Sequence, residues 1–189
     1  REMELFTNKI SLQDKKITAE VCIHHLWFTN DDYATKGNFI KWNPAVKTAA
    51  DRDALWKALL DDRIDVIATD HAPHTFDEKS QSYLMAPSGG PLVQHVLPAL
   101  FEKHREGLIS VEKIVQKTAH NPAIVFKIQD RGFVREGYFA DLDKVNKANV
   151  QKRLKELLAT KPKTKKQTLA LAAEPEATYG EQAVLELYL

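Results

Sequence analysis

The amino-acid sequence predicts an α/β fold with parallel strands. Three observations carry that expectation. The runs ITAEVCI (17–23) and IDVIAT (64–69) are rich in β-branched residues and nearly continuously apolar, as strands buried on both faces are. A segment of helical periodicity, 50–61, lies between them. Each run then ends abruptly, the first at His24-His25 and the second at Asp70-His71-Ala72-Pro73-His74. Strand, helix, strand is the grammar of a parallel sheet, with a right-handed crossover expected.

The elements follow in order. Glu20 interrupts the first run, and a carboxylate buried there would need a partner. Residues 30–48 carry the breakers Asn30-Asp31-Asp32, Gly37 and Asn43-Pro44, so they read as irregular. In 50–61, Leu55, Trp56, Leu59 and Leu60 share a face, and Asp51 and Asp53 favour the first turn. After the second strand, Pro87, Gly89, Gly90 and Pro91 mark a loop. A helix over 92–105 would carry Val93, Val96, Leu97, Leu100 and Phe101. Ser110 reads as the N-cap of a further helix running to about His120. Trp27, Phe28, Trp56 and Phe101 read as core.

Composition excludes several classes. With 27 Lys+Arg against 26 Asp+Glu, the net charge of +1 gives no global nucleic-acid footprint. No apolar run approaches the roughly 18–20 residues of a membrane span. The single cysteine, Cys22, rules out an intramolecular disulfide and a cysteine-rich metal knuckle. A cytoplasmic protein is therefore expected. Charge is nonetheless segregated. Residues 143–167 hold nine Lys/Arg against Asp143 and Glu156, a net of +7, and 168–189 hold only acidic charges. The shift places a candidate boundary at Leu142. Beyond it, 145–158 has a narrow helical stripe, 161–166 is a lysine-rich linker and the end is acidic and apolar. A partly helical, peripheral basic tail is expected.

Parallel sheets place ligands at the carboxyl ends of their strands. His24-His25 and 70–74 both lie there. Asp70 can ligate a metal or shuttle a proton, or simply cap a turn. Of two adjacent histidines on a strand, only one can face inward, and a satisfied core or supporting role outweighs ligation. Asn43 offers a donor and an acceptor suited to an amide or carboxylate, or is an ordinary turn residue before proline. Ser88-Gly89-Gly90 allows close backbone approach to a ligand, or is a plain connector.

Six segments in order, EVCIHHL (20–26), KWNPAVK (41–47), ATDHAPH (68–74), APSGGPLVQH (86–95), KTAHNPA (117–123) and RGFVREGYFADL (131–142), resemble dihydroorotases. These are cyclic amidohydrolases built on a metal-dependent (β/α)8 barrel. The resemblance covers residues 1–142 and implies the C-terminal part of that barrel. It implies reversible hydrolysis of L-dihydroorotate to N-carbamoyl-L-aspartate in pyrimidine biosynthesis, with Zn2+ as cofactor and a small-molecule substrate as partner. Asp70 matches the family's metal-contacting general base and acid. Asn43, His74, Ser88 and Gly89 match substrate contacts, with Asp70 expected deepest among them. His24 matches a family histidine to which no ligand role is assigned. The hydantoinase and allantoinase types, and a non-catalytic assembly domain, are the alternatives, and self-association stays open.

The departures are equally specific. The family's HxH metal motif, its bridging carboxylate or modified lysine, and two later histidine ligands have no counterpart in the 189 residues. One aspartate does not hold a catalytic zinc, which takes about three protein ligands. The chain by itself is therefore expected to be inactive, and 143–189 has no recognised counterpart. It reads as a C-terminal dihydroorotase segment joined to an unrelated tail.

Overall fold

The computed structural model describes residues 2–139 and divides into two compact units, one ending at Leu100 and the next starting at Phe101. The tail and the boundary at Leu142 lie outside the described residues.

In the first unit, strands β1 (Glu20–Cys22) and β2 (Val66–Ala68) pair in parallel, with Glu20 opposite Val66 and Cys22 opposite Ala68. Parallel strands need a crossover, and the connection contains α1 (Ile23–Trp27), α2 (Tyr33–Lys36) and α3 (Ala49–Leu60). The helix expected over 50–61 is thus present within one residue at each end. Thr48 caps it by accepting the Asp51 N–H, while the Asp51 carboxylate takes the Thr48 N–H at 3.1 Å. Its buried face is Trp56, Ala58 and Leu59, and the Trp56 Nε1–H donates to Leu26 O at 2.9 Å, fastening α3 to α1. Val21, Ile23, Leu26, Ile64, Val66 and Ile67 complete this core. Ile40, Trp42 and Val46 form a second cluster, covered by Phe28, Tyr33 and Leu92.

Several expectations are corrected. The first strand is only three residues long, and Ile17 is 75% exposed. Pairing starts at Ala19, whose carbonyl accepts from the Asp65 and Val66 N–H groups. Its own N–H donates to the Asp65 carboxylate, so a side chain stands where strand pairing would continue. Glu20 is exposed and needs no buried partner. His24 and His25 belong to the helical turn α1, not to a strand, so the two-face rule does not separate them. Trp27, the last residue of α1, is 37% exposed and not in the core.

α4 (Phe76–Lys79) follows β2, capped by Thr75, and α5 is Val96–Arg105. The helix expected from residue 92 therefore starts four residues later, and Val93 is 61% exposed. The cause is local: Leu92 N–H turns back to Gly90 O, and Val93 N–H donates to the His71 ring at 3.0 Å. In the second unit, Ser110 caps α6 (Val111–Val115) as expected. A π-helical turn, Gln116–His120, then leads into α7 (Asn121–Val125), so the helical path continues beyond His120. Gly132 has φ +79, and a Cβ there would lie 2.4 Å from the Ala123 Cβ, which fixes glycine at that crossing.

Candidate active site

Three loop segments meet at the carboxyl ends of β1 and β2. The first, 70–74, leaves β2 through Asp70, whose φ of 48° is a left-handed turn that aspartate tolerates better than most residues. Asp70 is exposed, not the deepest group of the set, because that turn carries it past the end of the strand. His71 then forms a parallel bridge with Gly90, and Ala72 N–H donates to Gly90 O at 3.1 Å. The His74 Nε2–H donates to Ser88 O at 3.0 Å, and its Nδ1 lies 3.8 Å from Glu78. The structure therefore brings His74, Ser88 and Gly89 together.

Gly89 is buried with φ +125, and a Cβ there would fall 2.7 Å from both the Cβ and the carbonyl oxygen of Ala72. Close approach of two backbones is the reason for glycine. The Gly89 N–H donates to Lys41 O at 2.9 Å, so this donor is occupied within the protein.

The third segment is 41–44. Trp42 is buried against Gly90, where a Cβ would come within 3.0 Å of its ring. His24 stacks on it at a centroid distance of 4.4 Å and 9° between planes. Asn43 is exposed, precedes a cis peptide bond to Pro44, and sits between Trp42 and the Pro44 carbonyl, which is 3.0 Å from His25 Nε2. Asn43 thus shares this end of the sheet without being joined to His74 by a hydrogen bond of its own.

Two groups escape a sequence reading. Lys79 is buried, with its Nζ 2.9 Å from Gly89 O, 3.0 Å from Pro87 O and 3.3 Å from Lys41 O. Burial, with Lys41 nearby, pulls its pKa below the usual lysine value. Its acceptors are backbone carbonyls, which leave no residue-type signal. Cys22, His24 and His25 present ligand atoms all within 4.8 Å of one another. Three donor side chains within four residues are a signal, but a strand reading splits them across two faces.

The electrostatics of this trio are distinctive. Both ring nitrogens of His24 are buried without a hydrogen-bond partner among the described residues. Burial, then the adjacent His25, pushes the His24 pKa down to about 3. Burial also lowers His25, opposed by the Pro44 carbonyl and by the charge of Asp70. The Cys22 thiol is pushed up to about 11 by burial, then by Asp70 and Glu20. One thiol and two imidazoles gathered in this way are a donor set that fits a metal ion.

The family model described as Amidohydrolase family matches residues 9–170. The chain belongs to the amidohydrolase family. Family membership implies a metal cofactor and a small-molecule substrate. A dihydroorotase of Halobacterium salinarum is 43% identical over 125 residues, which is 66% of this chain and 30% of that protein. A dihydroorotase of Bacillus cytotoxicus is 39% identical over 128 residues, 67% of this chain and 30% of that protein. Among solved structures, an L-hydantoinase (dihydropyrimidinase) from Arthrobacter aurescens aligns with a TM-score of 0.61 at 26% identity. It covers 64% of this chain and 28% of that one. The amidohydrolase chain thus spans under a third of the length of these relatives. Its parallel β1–β2 pair and intervening helices form part of an α/β, TIM-barrel-like fold.

Proposed function

We propose that this amidohydrolase chain carries part of a dihydroorotase site, for reversible hydrolysis of L-dihydroorotate to N-carbamoyl-L-aspartate in the cytoplasm. The observation that carries the reading is the joining of 70–74 to 88–90 at the strand ends, through His74 and Ser88 at 3.0 Å and the His71–Gly90 bridge. Names of relatives at 39–43% identity supply the substrate class.

In this reading Zn2+, when bound, polarises the ring carbonyl and lowers the pKa of a water to about 7. Asp70 is a zinc ligand and the proton carrier. Its carboxylate takes the proton of the attacking water and delivers it to the ring nitrogen that leaves. His74 donates Nε2–H to Ser88 O, so Nδ1 faces outward towards substrate and Glu78. Asn43 supplies a side-chain amide to the substrate, and the Ser88 and Gly89 backbone forms a flat wall against its ring. Lys79 holds that wall from behind. The 189 residues alone do not turn substrate over, since Asp70 needs further metal ligands of the types named above. We assign this role to residues 1–142 and treat 143–189 as separate.

Binding tests the reading without requiring turnover. The full chain with Zn2+ is titrated with L-dihydroorotate and with hydantoin, followed by NMR shifts of His74 and the Ser88 and Gly89 amides. Dihydroorotate should perturb all three, and Asn43→Ala should weaken it about tenfold, the loss of one hydrogen bond to a charged group. Unperturbed signals, or preference for hydantoin, would overturn the assignment.

A further inference from the structure

We propose that Cys22, His24 and His25 form a metal site of their own at the carboxyl end of β1, taking a borderline divalent cation such as Zn2+ without Asp70 as a required ligand. The proposal is independent of the dihydroorotase reading, which gives His24 no ligand role. It rests on three observations. The ligand atoms already lie within 4.8 Å of one another. In a tetrahedral zinc site, Zn–S and Zn–N bond lengths place neighbouring ligand atoms about 3.3–3.6 Å apart, so closure requires movement of about an ångström. His24 is 1% exposed, yet neither of its ring nitrogens has a hydrogen-bond partner among the described residues. Such a group ordinarily costs stability, and a metal ion would relieve that cost.

The third observation is orientation. His25 Nε2 lies 3.0 Å from the Pro44 carbonyl, which can only accept, so the proton is on Nε2 and the lone pair on Nδ1. A histidine that donates one ring N–H to a carbonyl while offering the other nitrogen has the usual arrangement of a metal ligand with its supporting shell. One thiolate and two neutral imidazoles suit zinc or cobalt better than magnesium or calcium. Three protein ligands leave the fourth position to water. Cys22 is half-buried, so an ion can reach it. On binding, the Cys22 S–H bond breaks, a sulfur–metal bond forms and the proton passes to buffer.

The test uses the full chain, reduced and stripped of metal, with Co2+ as the probe and Zn2+ as competitor. Wild type should bind one equivalent of Co2+ with thiolate-to-cobalt charge-transfer absorption in the near ultraviolet, bleached by Zn2+. Cys22→Ser should lose that band and bind at least about tenfold more weakly, since even removing a supporting residue costs that much. Asp70→Asn should keep the band. His25→Gln serves as the second ligand variant, because His24 packs on Trp42 and its replacement risks the fold. It too should bind at least about tenfold more weakly, and circular dichroism without metal should match wild type for each variant. No cobalt binding, binding without the band, binding insensitive to Cys22→Ser, or a band lost in Asp70→Asn would each overturn the proposal. Dihydroorotate titrations of the same samples report separately on the function.

Discussion

The ammonium of Lys79 lies 2.9 Å from the carbonyl oxygen of Gly89, and it holds the Pro87 and Lys41 carbonyls as well. One cation thus ties α4 to both loops that flank the candidate site. Its burial is tolerated because three carbonyl dipoles replace water. Lys79→Met keeps the apolar stem and removes the donors. It should cost about 2–4 kcal/mol, the scale of leaving a few buried acceptors unmet. Urea unfolding of the full chain gives the number, and the His74 and Ser88 NMR signals should broaden. A Lys79→Met chain as stable as wild type would show that water satisfies these carbonyls.

Gly89→Ala attacks the same wall from the front. The added Cβ would sit 2.7 Å from two backbone-anchored atoms of Ala72 and 3.3 Å from His74 Nε2, at a φ that alanine rarely adopts. Neither Ala72 atom is the free end of a flexible side chain. A loss of about 2–4 kcal/mol is expected from strain and overpacking together, along with loss of the His74–Ser88 hydrogen bond. Gly37→Ala is the control, since its φ is +50 but nothing lies within 4 Å of a Cβ there. It should cost about 1 kcal/mol. Equal effects at both positions, read by thermal unfolding, would remove the close-approach argument.

The parallel strand pair and α3 were legible because their signals are local: apolar runs, helical spacing and acidic first-turn residues. So was the meeting of His74 with Ser88 and Gly89, through ordered motifs resembling a known family. The missed features depend on partners far along the chain. Lys79 is buried because carbonyls at 41, 87 and 89 surround it. The first strand stops short because Asp65, more than forty residues away, takes the Ala19 N–H. His24-His25 read as strand because a β-branched run precedes them, and no propensity window shows the turn into α1. Asp70 read as deep because it follows a buried strand, while a left-handed φ at that one residue turns it outward.

Acid should weaken the N-terminal turn of α4. The Glu78 carboxylate accepts from Thr75 N–H at 2.7 Å and from its hydroxyl at 3.0 Å. These bonds, with His74 adding charge, hold its pKa below the ordinary 4.5. The folded pKa is depressed, so the stabilisation is present above the unfolded value and is lost as pH falls through the folded one. Amide exchange at Thr75 should therefore stay protected at pH 6 and lose protection below about pH 4.5. Glu78→Gln, which cannot ionise, should flatten that dependence. A Thr75 amide with the same acid profile in both proteins would remove Glu78 as the cause.

The entry to β1 depends on one buried ion pair. Lys15 Nζ is 2.6 Å from Asp65 Oδ1, with side chains only 4% and 5% exposed. The other oxygen of Asp65 accepts the Ala19 N–H at 3.0 Å, and Lys15 also reaches Asp62 O at 3.3 Å. Asp65 therefore neutralises a buried cation and completes the backbone where the sheet begins. Asp65→Ala should cost about 3–5 kcal/mol, because Lys15 is left buried without its counter-charge. Lys15→Met combined with Asp65→Leu removes both charges and should recover part of that loss. The Ala19 N–H would still lack an acceptor, a deficit of about 1–3 kcal/mol. Denaturant unfolding of the two variants separates the terms. If the double variant is no more stable than Asp65→Ala, the cost lies in the lost backbone acceptor, and the ion pair contributes nothing of its own.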